Sequence, residues 1–117
     1  MEATNENIDY RKIEEMVEGD EEFRTQLLEA IIVAVKELQT SYIKGIETKK
    51  EEIIKQARHK IKPTLTLFGL RALGSTLGEG KQLIIKGGLN QDLNSHKVKF
   101  LSVSNAVLED INQKLSN

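Results

Sequence analysis

The chain has 117 residues, 38% of them hydrophobic and 4% aromatic, with one proline, no cysteine and a formal net charge of -1. That length supports one domain around one core, and the scarcity of aromatics leaves Leu, Ile and Val on helices to build it. The missing cysteines exclude a disulfide framework, a zinc-thiolate site and a thiol nucleophile, the near-zero charge gives no electrostatic pull toward nucleic acid, and no apolar run approaches the ~18 residues of a membrane span.

Residues 1–7 are polar and are expected to form a disordered tail, with residues 8–117 as a single helical domain. The first twenty residues are too acidic for a secretory or transit peptide, so a cytoplasmic protein is expected. The spacing of Ile8, Tyr10, Ile13, Met16 and Val17 predicts a short helix that stops at Gly19. Asp20 then caps a second helix, with Glu21 and Glu22 in its first turn, where the helix dipole favours anions. This helix is expected to run to Gly45 or Glu47 with Phe23, Leu27, Ala30, Ile31, Ala34, Leu38 and Ile46 on its inner side. The acidic run from Glu14 to Glu22 reads as a solvated surface rather than a partner-orienting patch.

Thr48-Lys49-Lys50-Glu51 has the T-x-x-E form of a capping box and is expected to start the third helix, Glu51 to Gly69. On a wheel that advances about 100° per residue from Ile54, the residues Ala57, Ile61, Leu65 and Phe68 fall within about 60°, a core stripe of ordinary width. His59 comes out at about 140°, beside Lys55, Thr66 and Lys62 at roughly 100°, 120° and 80°. The histidine therefore faces away from the core, with Lys62 one turn further on. Arg58, at about 40°, lies on the edge of the stripe, where it either adds a cation near His59 or is a solvated edge residue with a packed stem. Pro63 removes the N–H that would bond the His59 carbonyl, and a local bend is expected. Gly69 ends the helix and permits close backbone packing.

Leu70, Leu73 and Leu77 continue at helical spacing and then meet Gly78 and Gly80. Two readings stay open: a helix ending near Leu77 followed by a short piece over Leu83 to Ile85, or one long helix that tolerates the glycines. Gly87 to Asn94 is expected to be a loop. A last helix runs from about Ser95 to Leu115, with Leu101, Ser104, Leu108, Ile111 and Leu115 on one face and Phe100 and Val107 widening it. Short connections between long amphipathic helices make antiparallel neighbours. The expected fold is all-α, an antiparallel up-down four-helix bundle with a short extra N-terminal helix.

Two motifs fail. Gly78-Glu79-Gly80-Lys81 resembles the end of a phosphate-binding loop, but Ser75 stands in place of the first glycine and Gln82 in place of the Ser/Thr. His96 sits in a polar context at a helix start with no second histidine one turn away, so a surface role is expected rather than metal binding.

The spacing of His59, Lys62, Pro63 and Gly69, together with IDYRKIEEMVEGDEEFRTQLLEAII upstream, resembles the histidine-containing phosphotransfer (HPt) domains of two-component phosphorelays. The likeness covers about Ile8 to Leu77. Two departures stand out: Pro63 replaces the family's Gly or Ser, and Arg58 replaces a common Ala. The resemblance implies a phosphorelay intermediate rather than an enzyme in its own right, taking a phosphoryl group on His59 Nε2 from the aspartyl phosphate of a receiver domain and passing it to another. Imidazole in water is largely neutral at pH 7 and needs no general base to act as a nucleophile. Lys62 is expected to stabilise the added charge, with Lys55, Arg58, Pro63 and Thr66 meeting the partner and Gly69 serving the fold. Response-regulator receiver domains and a hybrid histidine kinase are the expected partners of a monomer. No cofactor, metal, nucleic acid or membrane is expected, the metal belonging to the receiver, and no ATP-binding domain is legible in these residues. Two other classes remain: a non-phosphorylated helical adaptor that binds a receiver or kinase, and an enzyme using His59 as a general base, which a pocket lined by ionisable groups would favour.

Overall fold

A computed structural model describes residues 7–116, in which all regular structure is helical. The tail expected over residues 1–7 lies outside the described residues except for Asn7, whose side-chain amide donates to Asp110 at 3.4 Å. The helices are α1 (Tyr10–Val17), α2 (Glu21–Glu47), α3 (Glu51–Phe68), α4 (Arg71–Gly87) and α5 (Asn94–Ser116). A 27-residue helix is about 40 Å long, close to the 48 Å long axis of the molecule. The four long helices close a ring in which α2 packs on α3 and α5, and α4 packs on α5 and α3, while α1 lies on α2 and α3. No described helix is long and apolar enough to cross a membrane.

Local chemistry explains most of the boundaries. The Asp9 carboxylate accepts from the Arg11 N–H at 3.1 Å and opens α1. That helix closes when Glu18 turns left-handed at φ 50, one residue ahead of Gly19 at φ 83. Asp20 accepts from the Phe23 N–H at 3.0 Å and opens α2. The capping box expected at Thr48 does not form. Thr48 instead closes α2, its hydroxyl donating to the Lys44 carbonyl at 2.6 Å, and α3 starts from Lys50 with no side-chain cap. The reason is the shortness of the link: Lys49 already turns left-handed at φ 56 to reverse the chain, so the hydroxyl is spent on the helix behind it.

The inner face of α2 also differs from expectation. Its buried residues are Leu28, Ile31, Val35, Leu38, Tyr42, Gly45 and Ile46. Phe23 is 40% exposed, Ala30 is exposed, and Leu27 and Ala34 are half-buried. Every position from Leu27 to Val35 except Glu29 is apolar, so periodicity selected no face there and the packing of the neighbouring helices did. On α3 the stripe is unambiguous: Ile54, Ala57, Ile61 and Phe68 are buried, and Leu65 is half-buried. The helix is continuous through Pro63.

α3 ends at Phe68 because Gly69 adopts φ 65. The Asp9 N–H bonds the Phe68 carbonyl at 2.9 Å, tying the start of α1 to this turn. A Cβ on Gly69 would stand 2.7 Å from Asp9 Cβ, so the position requires glycine for space as well as for its backbone angle. α4 then runs unbroken through Gly74, Gly78 and Gly80, the second of the two readings of this stretch.

His96 is buried, 6% exposed, not at the surface, and its Nε2 lies 2.8 Å from the Tyr42 hydroxyl. It stands four residues before Phe100 and so begins the buried stripe of α5, His96, Phe100, Ser104, Val107, Leu108 and Ile111, whereas Leu101 is turned outward, 37% exposed. The polar run Asn94-Ser95-His96-Lys97 conceals this spacing in the sequence. Burial lowers the pKa of His96, opposed by Glu79 and assisted by Lys99. The unfolded chain therefore takes up a proton at higher pH than the folded chain does. Stability is complete above about 6.5 and declines as the pH falls below it, until the folded-state group also titrates. Thermal melts between about pH 7.5 and pH 5 are expected to show a falling Tm in the native chain and a much flatter profile in His96→Gln, whose amide does not titrate in this range. Equal slopes in the two proteins would contradict this assignment.

Candidate functional site

α3 and α4 face one another across an open groove of about 670 Å³. One wall is the α3 stripe Glu51, Lys55, Arg58, His59, Lys62 and Leu65, and the other is the α4 stripe Gly74, Leu77, Gly78, Lys81, Ile84 and Ile85. Both follow the three-and-four spacing of one helical face. The α3 wall is the edge next to the core stripe, so the burial of Ile54, Ala57 and Ile61 rotates His59 into the groove. On the other wall, burial of Leu73, Leu77 and Ile84 fixes the rotation of α4 and brings Gly74 and Gly78 round to the groove. Two glycines one turn apart put no side chain into that part of the wall and help keep the groove open.

His59 is the ninth of eighteen residues in α3 and is exposed. Among the described residues no hydrogen bond or ion pair engages its ring, and Lys55, Arg58 and Lys62 share its wall of the groove. Four cations, Lys55, Arg58, Lys62 and Lys81, line the groove against one carboxylate, Glu51, which pairs with Lys55 at 3.9 Å. In a molecule of net charge -1 this is a local positive field. Arg58 is half-buried and reaches the field of Tyr42, whose hydroxyl is pushed up to about 12 by burial while Arg58 acts in the opposite direction. Arg58 thus lines the groove beside His59 with part of its side chain covered.

The groove thus gathers His59, Lys62, Lys55 and Arg58. Pro63 and Thr66, expected at the partner surface, are exposed on α3 and do not line it. The Thr66 backbone carbonyl accepts from Lys12 Nζ of α1 at 3.3 Å. Sequence reasoning missed Lys81, Leu77, Ile84 and Ile85. The four-three-four spacing of Gly74, Gly78, Lys81 and Ile85 was the available signal, and the glycines within it lowered the helical expectation that would have exposed it.

Chemically, the arrangement offers a nucleophilic imidazole that is accessible to a macromolecule and surrounded by donors suited to an oxyanion. The ionisable groups that line the pocket are those a general-base enzyme would also need, but no described carboxylate hydrogen-bonds the ring to orient it. Comparison with known protein families, curated proteins and solved structures gives no match to this chain.

Proposed function

We propose that this chain is a histidine phosphotransfer protein, an antiparallel up-down four-helix bundle with a short extra N-terminal helix that carries phosphoryl groups between receiver domains in the cytoplasm. The observation that carries the reading is His59, exposed at mid-helix in a groove whose other charged side chains are nearly all cationic. The likeness of the His59, Lys62 and Gly69 spacing to HPt domains supports it independently of the groove.

In the forward step a lone pair on His59 Nε2 attacks the phosphorus of an aspartyl phosphate held by the receiver. A P–N bond forms, the P–O bond to the aspartyl carboxyl breaks, and its electron pair leaves with the carboxylate. The other ring nitrogen keeps its proton, so no base is required. Docking supplies the in-line geometry. Lys62 stabilises the charge that arrives, and Lys55 and Arg58 add to the field. Because a mixed anhydride is exchanged for a phosphoramidate of similar reactivity, the same step runs backward to a second receiver. The partners are response-regulator receiver domains and, upstream, a hybrid histidine kinase; the carrier works as a monomer.

The test is transfer of label from phosphorylated receiver domains of the same organism to the native protein and to His59→Gln. Acid-labile label on the native protein alone is expected. Binding to a receiver that survives His59→Gln, with no label on either protein, would instead leave the non-phosphorylated adaptor as the function.

A further inference from the structure

The α3–α4 seam brings like charges together with little to separate them. α4 contributes Gly74 and Gly78 to its wall, and a Cβ on Gly78 would meet nothing within 4 Å. Arg58 and Lys62 come to this gap from α3 and Lys81 from α4. Among the described residues none of the three has a carboxylate within 4.0 Å. Two neighbours on α3 are different: Lys55 pairs with Glu51 at 3.9 Å, and Lys60 with Glu37 of α2 at 3.1 Å. The chain thus gives Lys55 and Lys60 carboxylate partners and, among the described residues, leaves Arg58, Lys62 and Lys81 without one.

Lys81 is held in place by packing. Leu77 and Ile84, one turn to either side of it, are buried, and its neighbour Gly80 lies against the Tyr42 and His96 side chains. The Lys81 stem therefore leaves α4 from a fixed position, and its ammonium has three donors and a flexible four-carbon reach.

We infer that Lys81 is the clamp on the far wall of the site: a phosphoryl group on His59 takes hydrogen bonds from Lys62 on α3 and from Lys81 on α4, so that phosphorylation turns a repulsive seam into a bridged one. The inference rests on His59 being the phosphoacceptor. It assigns a contact residue on a second helix and adds a physical consequence, that the loaded chain is the more tightly held one along α3 and α4. No bond is made or broken in the clamp itself.

The test uses the full chain as native protein, Lys81→Met, which keeps most of the stem, and Lys81→Arg, which keeps the charge. Each is loaded from a phosphorylated receiver and followed by phosphohistidine lifetime, by 31P chemical shift and by Tm before and after loading. Loading is expected to raise Tm by a few degrees in the native protein and in Lys81→Arg, and to leave it unchanged in Lys81→Met. The phosphohistidine of Lys81→Met is expected to decay several-fold faster, with its 31P resonance displaced. Because the side chain is exposed, the unloaded variants should melt close to the native protein, and an altered loaded-state signal then reports the clamp and not the fold. Equal lifetimes and equal Tm rises in native protein and Lys81→Met would overturn the clamp and leave the carrier reading intact. Failure of the native protein to take label, or label that persists in His59→Gln, would overturn both.

Discussion

Gly80→Ala is expected to lower the Tm by roughly 10–20 °C, while Gly78→Ala, two residues earlier on the same helix, raises it by a few degrees. Intrinsic helix propensity favours alanine at both sites by about 1 kcal/mol. At Gly78 nothing lies within 4 Å of the added methyl group, so that preference is expressed in full. At Gly80 the new Cβ would run into Tyr42 Oη and His96 Nε2 and would stand 2.7 Å from His96 Cε1. Neither ring can withdraw. Tyr42 is fully buried, with its ring centroid 4.6 Å from that of Phe100, and His96 is only 6% exposed. Overpacking of this kind costs about 1–3 kcal/mol, and separating the buried Tyr42–His96 pair leaves polar groups unsatisfied at about 1–3 kcal/mol more. Against a gain of about 1 kcal/mol the net loss is about 1–5 kcal/mol, with a midpoint of about 3, a large part of the stability of a domain of this size. Differential scanning calorimetry on the two variants decides the matter, and a Gly80→Ala protein that melts with or above the native one would show that the Tyr42–His96 contact is not a packed one.

The same pair shows where the sequence was legible and where it was not. The third helix could be read almost completely, because its apolar residues occupy one narrow stripe and Gly69 marks its end; the exposed position of His59 followed from that stripe alone. α2 could be read for length and for its Asp20 cap, but not for its face, since an apolar run from Leu27 to Val35 interrupted only by Glu29 admits several faces. Thr48 carried a valid local signal that the adjoining helix end used first. His96 and Lys81 were missed for one shared reason: both owe their surroundings to contacts between helices, which the periodicity of a single helix does not report. A histidine among polar residues looks solvated until Tyr42, 54 residues earlier, is brought within 2.8 Å. A lysine in a glycine-rich stretch looks like a loop residue until α4 is packed against α3.

The charge of the groove should matter far more than the charge of the helix that bears it. Lys62→Glu is expected to lower the second-order rate of phosphoryl transfer to His59 on the order of a hundredfold, and Lys62→Met about tenfold. Two unit charges about 6 Å apart in water interact by about 0.7 kcal/mol. The phosphoryl group brings close to two negative charges, and reversing Lys62 changes its own charge by two, so the transition state loses about 3 kcal/mol; neutralising it loses half of that. Lys60→Met is the matched control. Lys60 is also an exposed lysine of α3, but it faces α2, where it pairs with Glu37 at 3.1 Å and lines a different groove with Ala34 and Ser41. Its removal changes the charge of the protein as much as Lys62→Met does and should alter the transfer rate less than about twofold, because its ammonium is on the far side of the helix and screened. Raising the salt from about 0.05 M to about 0.5 M brings the Debye length below the separation assumed here, and should shrink the gap between native protein and Lys62→Glu to a few-fold. If Lys60→Met and Lys62→Met slow the transfer equally, net charge rather than the α3–α4 groove is what the partner senses, and the phosphoryl group does not arrive beside Lys62.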